Sequence, residues 1–215
     1  MALSENALQK KRTKKNTKRN DKRTTGGRLG ALLSFSRDWA AASRAPVVDV
    51  LAPCNLFELG IGHVWFSRRL PDARYAMAGF LVDTFCLGVK NALYKIMETR
   101  EYQGALERIF SATQEGYEQQ HPAYARKLVE GAVAYARDLG FDPHVDYRIA
   151  KAIFGDVDAA ACPVKFAFGQ DDKPFYVSGP HDSLSMRRRI VTQLERRCGT
   201  DGFHFMIGET SEGLD

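Results

Sequence analysis

His63-Val64-Trp65-Phe66-Ser67-Arg68-Arg69-Leu70, Pro71-Asp72-Ala73 and Arg74-Tyr75-Ala76-Met77-Ala78-Gly79-Phe80-Leu81-Val82 follow one another without a break, and their reading decides the fold. Two apolar-rich runs of strand length flank a Pro-Asp turn, which is the pattern of an antiparallel β-hairpin. In the first arm Val64, Phe66 and Arg68 alternate with Trp65, Ser67 and Arg69, the period of a strand. The second arm ends in the continuous run Phe80-Leu81-Val82, expected of a strand covered on both faces.

Beyond the hairpin the period changes. Phe85, Val89, Leu93, Ile96 and Met97 recur at helical spacing, with Lys90, Asn91, Lys95 and Glu98 on the other side, and predict a helix from Thr84. A second helix is predicted on Tyr102, Ala105, Leu106, Ile109 and Phe110. A third starts at Pro122, turns Ala125, Leu128, Val129, Ala132, Val133, Ala136 and Leu139 inward, and stops at Gly140. Asp146 is expected to cap a short helix that Gly155 ends. Val164 to Phe168 and Pro174 to Val177 flank Gly169-Gln170-Asp171-Asp172-Lys173 and predict a second hairpin. Asp182 or Ser183 caps a last helix striped by Met186, Ile190, Val191 and Leu194, and Phe203 to Ile207 makes a short final strand. On the N-terminal side, Leu29, Leu32, Leu33 and Trp39 predict a short helix before Pro46. Strands and helices come in blocks, so the class is α+β: two antiparallel hairpins and about six helices in one domain over residues 29–208, with a polar tail at 209–215.

Charge divides the chain differently. Lys10, Lys11, Arg12, Lys14, Lys15, Lys18, Arg19, Lys22, Arg23 and Arg28 face only Glu5 and Asp21, which puts residues 1–28 at +8. The whole chain is +5, so residues 29–215 carry −3. This arm has no apolar period and cannot offset its ordering entropy by burial, so it is expected to be disordered when free. Clustered cations on such an arm suit nucleic-acid phosphates, whose neutralisation releases condensed counterions. No aromatic residue interleaves, so base stacking is not expected and recognition would follow charge and shape. RNA or the ribosome is the expected partner, with a protein partner for the body as a further expectation. A solubilising tail on a protein-interaction module is the alternative. No run approaches the roughly 18 apolar residues of a membrane span, and the N-terminus lacks a secretory h-region, so the expected location is cytoplasmic.

Two segments, Ser67-Arg68-Arg69-Leu70-Pro71-Asp72 and Phe80-Leu81-Val82-Asp83-Thr84-Phe85-Cys86-Leu87-Gly88-Val89-Lys90-Asn91, resemble a bacterial family of conserved hypothetical proteins with an SRRLPDG…FLVDxxCLGVKNA core. Tyr135 to His144 and Phe175 to Pro180 also resemble segments of that family, so the likeness covers about residues 45–185. It implies architecture and a bacterial origin, and it carries no mechanism. Ala73 stands where the family turn has glycine, which implies a turn that avoids positive φ here.

Catalytic candidates are few. Asp83 follows a buried strand, where sheets often place function, and with Asp146, Asp156 or Asp158 it could hold magnesium in a phosphodiester hydrolase. The plainer reading makes Asp83 or Thr84 a helix cap. The five histidines, His63, His121, His144, His181 and His204, fall in no metalloprotease, nucleophile-elbow or Walker-type motif. Cys54, Cys86, Cys162 and Cys198 form no closely spaced pair, so they read as reduced, small core residues, and neither a metal nor a cofactor is expected. On the last helix Arg188, Arg189 and Arg196 face away from Ile190 and make a second candidate phosphate surface, while Arg187 and Arg197 fall near the apolar stripe.

Overall fold

A computed structural model describes residues 33–112, 116–180 and 182–207. The chain divides into two compact units at Ala41/Ala42. The first contains most of helix α1 (residues 33–42), in which Phe35 and Trp39, one turn apart, stack with ring centres at 5.9 Å.

The second unit is built on the predicted hairpin. Strand β1 (Val47–Pro53) and the single-turn helix α2 (Leu56–Leu59) lead into β2 (Ile61–Arg69), β3 (Tyr75–Asp83) and β4 (Gly88–Met97). Helix α3 (Thr99–Ser111), strand β5 (Tyr117–Gln119) and helix α4 (Pro122–Asp138) follow. The rest comprises α5 (Tyr147–Ala150), two 3-10 turns (Lys151–Phe154 and Ala159–Ala161), β6 (Phe175–Val177), α6 (Leu184–Cys198) and β7 (His204–Met206). Five strands form one antiparallel sheet in the order β4-β3-β2-β1-β5. The class is α+β, with six α-helices among the described residues.

Alternation along β2 assigns the two sheet faces. Val64 and Phe66 are fully buried, and across the sheet they meet Phe80, Ala78 and Val50. Phe154 covers this face, edge-on to Phe66 and stacked on Phe80 at 5.2 Å. The opposite face carries Leu51, Met77 and Met97 and is covered by Tyr102 and Ile109 of α3. Arg68 is the anomaly, a cation only 3% exposed on the apolar face. Its guanidinium donates to Ile153 O (2.6 Å), Ala45 O (2.6 Å) and Phe154 O (2.7 Å). The planar fork thus ties the 3-10 turn to the entry of β1, adding a second donor at Phe154 O, which also accepts from Val157 N (3.1 Å).

Helix α4 is as the sequence predicts. Pro122 occupies its first turn, the His121 ring nitrogen accepts from Ala123 N, and Ala125, Leu128, Val129, Ala132, Val133 and Ala136 are buried. The segment from Thr84 is not. It is a four-residue link and then β4, paired with β3 from Asp83↔Gly88 to Tyr75↔Met97. Leu81 pairs with Asn91 and Val82 with Val89, so Lys90 is an extra residue, a β-bulge. A bulge breaks the two-residue alternation, and the buried residues Val89, Ala92 and Met97 then fall at intervals that imitate a helix. Gly88 makes the geometry possible: it has φ +64, and a Cβ there would meet Ala132 O at 2.7 Å, so only glycine lets β4 start against α4.

The sheet's second hairpin is therefore β3–β4, and residues 164–177 do not form one. Asp171 (φ 49) and Asp172 (φ 60) make a two-residue turn with both φ positive, closed by Gln170 and Lys173, but the ladder stops there. Phe166 and Phe168 instead pack their rings on Phe57, Tyr124 and Tyr135. The expected final strand forms as β7, but its partner is β6, in parallel. Two smaller expectations also change. Asp146 makes no side-chain cap at α5. Ala73 has φ 68 and does not avoid the left-handed region.

Candidate functional site: a basic trough beside the bulge

The bulge re-aims Lys90, as bulges do where a strand must present a side chain off its pleat. The Lys90 ammonium lies 4.0 Å from Asp182 Oδ2. That carboxylate accepts from Tyr176 Oη (2.8 Å) and Gly179 N (2.8 Å). On the other side Asp83 Oδ1 accepts from Phe85 N (3.0 Å) and Cys86 N (2.8 Å), closing the β3–β4 link. Asp83 is thus the cap of a hairpin connection and not of a helix. Burial pushes its carboxyl above the ordinary value, against the opposing pull of these hydrogen bonds and of Lys90. Burial, with the Asp83 charge, pushes the Cys86 thiol up. Tyr176 is raised by burial and by its bond to Asp182.

Lys90 opens into a depression of about 480 Å³ between β4, α6 and the loop after α4. Leu87, Val89, Phe141 and Ile190 supply apolar wall, and Arg189 also lines it. The loop is tied to the sheet by His144 N donating to Val89 O (2.9 Å). Asp146 N donates to the His144 ring Nδ1 (3.3 Å), which orients the imidazole. A second depression of about 570 Å³ adjoins the first, sharing Asp142 and His144, and is lined by Arg137, Arg148 and Lys151. The two adjoining depressions, together called the trough, are lined by five cations, and the carboxylate they share, Asp142, is 3.6 Å from Arg137.

Other cations of the body serve the fold. Arg126 bonds Glu130 and the carbonyls of Gly155 and Val157, and Lys127 donates to Cys162 O (2.6 Å). Arg187 is buried and donates to Asp182 O (2.8 Å), and Arg197 bonds Asp138 O. Arg188, Arg189 and Arg196 are exposed, as their helical phase requires. Arg188 lines a groove with Leu184, Phe205 and Ile207, and Arg189 lines the trough.

The carboxylates proposed for a metal are engaged separately. Asp156 lies 3.8 Å from Arg68, Asp158 caps the second 3-10 turn through Ala160 N, and Asp146 lies 3.8 Å from His144. Among the described residues no three His, Cys, Asp or Glu side chains gather as metal ligands would. The four cysteines are free thiols, with Cys86 and Cys162 in the core. The ten cations from Lys10 to Arg28, His181 and the tail at 209–215 lie outside the described residues. No helix among the described residues is long and apolar enough to cross a membrane. The trough was not visible in the sequence, because its cations come from four separate segments and share no motif.

No family model matches the chain, and neither a curated protein nor a solved structure matches it.

Proposed function

We propose that this chain is a non-enzymatic, nucleic-acid-associated protein of the bacterial cytoplasm that binds RNA or the ribosome through the phosphates. Lys10, Lys11, Arg12, Lys14, Lys15, Lys18, Arg19, Lys22, Arg23 and Arg28 make the contacts. One observation carries the reading: +8 is segregated into 28 residues ahead of a body at −3. A net negative body gives no overall attraction for a polyanion, so long-range attraction falls to the arm. The separate engagement of Asp83, Asp146, Asp156 and Asp158 supports a non-enzymatic role over a metal-dependent hydrolase.

Crosslinking in the native cell tests this. The wild-type chain should recover nuclease-sensitive RNA, and a chain with the ten arm cations replaced by glutamine should recover little. Recovery of protein alone, unchanged by nuclease, would make the chain a protein-interaction module with a solubilising arm.

A further inference from the structure

We infer that the trough between β4, α6 and the loop at residues 141–148 is a binding site for a phosphate monoester with an apolar body, of mononucleotide size. The argument starts from shape. Depressions of about 480 and 570 Å³ fall within the roughly 300–1,000 Å³ of small-ligand sites. Next comes the lining. Leu87, Val89, Phe141 and Ile190 offer an apolar surface against which a base or similar ring can lie, and Lys90 and Arg189 stand at its edge. Apolar wall with a few convergent charged groups is the ordinary make-up of such a site.

Charge then selects the ligand. A body that carries −3 overall places Lys90, Arg137, Arg148, Lys151 and Arg189 around one concavity that holds one carboxylate, Asp142. Concave walls focus that field and favour an anion. The bulge fixes the direction of Lys90, whose side chain is 15% exposed; its ammonium stands 4.0 Å from Asp182 Oδ2 and within the field of Asp83, so it lends the wall less free charge than an unpaired cation would. Arg189 adds a planar fork suited to phosphate oxygens, and its exposed position on α6 leaves it free of a packing role. The second depression, with Arg148 and Lys151, continues the positive wall beyond the first and gives room for a further phosphate.

This site does not need the arm, so it stands or falls separately from the proposed RNA contact. The monoester has two sources, a free nucleotide or the phosphorylated end of a strand. The test is titration calorimetry on the full chain with AMP, adenosine and a 5′-phosphorylated dinucleotide. Three variants accompany it: Arg189→Ala, Arg189→Glu, and the chain with the ten arm cations replaced by glutamine. AMP should bind saturably, with adenosine at least about tenfold weaker, because one charge-assisted contact is worth about that factor. Arg189→Ala should weaken AMP about tenfold and Arg189→Glu further, with thermal unfolding unchanged. The arm variant should keep AMP binding. A dinucleotide that binds tighter than AMP assigns the strand end, and AMP equal or tighter assigns the free nucleotide. The inference is overturned if neither ligand saturates, if adenosine binds as well as AMP, or if binding disappears with the arm charges and ignores Arg189.

Discussion

Replacing Ala73 by glycine should stabilise the protein, and the structure gives the amount. Leu70 to Arg74 form a type I turn extended by one left-handed residue: Ala73 N donates to Leu70 O (3.1 Å), and Leu70 N donates to Arg74 O (2.8 Å). Pro71 and Asp72 suit the two central positions, and the next position, which closes the hairpin at φ 68, belongs to Ala73. A residue with a Cβ there costs about 1–2 kcal/mol. Glycine removes that cost but brings a freer unfolded chain, which returns about 0.4–1 kcal/mol. The Ala73 methyl is exposed, so no packing is lost. The net expectation for Ala73→Gly is a gain of about 1 kcal/mol, or about 2–4 °C in Tm for a chain of this size. Urea unfolding measures it, with Ala73→Val as the opposite control because a β-branched residue tolerates this φ least. A glycine variant that is neutral or less stable, with an unchanged m-value, would mean that the turn does not hold residue 73 in the left-handed region.

Three further perturbations follow from the same geometry. Arg68→Met should cost about 3 kcal/mol in urea unfolding, since Ile153 O and Ala45 O lose this donor and Phe154 O keeps only Val157 N; Arg68→Lys should recover little of it, and full recovery would refute the fork. Gly88→Ala combines a left-handed φ with a Cβ at 2.7 Å from Ala132 O, so a loss of about 3 kcal/mol is expected, and a silent variant would place α4 farther from β4. For Asp83, burial raises the carboxyl pKa in the folded state, so the fold binds more protons than the unfolded chain just above the ordinary carboxyl range. Its contribution therefore weakens as pH rises through that window. Asp83→Asn keeps an oxygen acceptor for Phe85 N and Cys86 N, so its stability relative to wild type should improve from pH 4 to pH 7; a relative loss over that range would contradict the assigned burial.

The sequence was most informative where local pattern and burial agree. Residues 63–82 read as a hairpin because strand alternation, Pro71-Asp72 and the run Phe80-Leu81-Val82 all point one way, and α4 read as a helix because seven apolar residues share a face beginning at Pro122. β4 imitates a helix in the sequence because the extra residue at Lys90, near the strand's start, shifts the side chains after it to the other face, and periodicity cannot distinguish that from a helical stripe. Val164 to Phe168 has strand composition, yet among the described residues no strand pairs with it and its half-buried rings pack on Tyr124 and Tyr135. Asp83 reads in the sequence as a helix cap, but it closes a hairpin link, because β4 and not a helix follows it. Lys90, His144, Arg148 and Arg189 meet only after the sheet has paired and α6 has docked, so no spacing in the chain announces them.

The salt dependence of RNA binding tests the central claim most directly. Affinity of the full chain for a single-stranded RNA should fall linearly on a log–log plot against salt, with a slope of roughly −0.7 for each phosphate neutralised. With ten arm cations available, six to eight contacts would give a slope of about −4 to −6. Replacing those ten by glutamine should flatten the line toward zero and remove most of the affinity. A slope near zero in the wild-type chain, or an unchanged slope after neutralisation, would contradict the account.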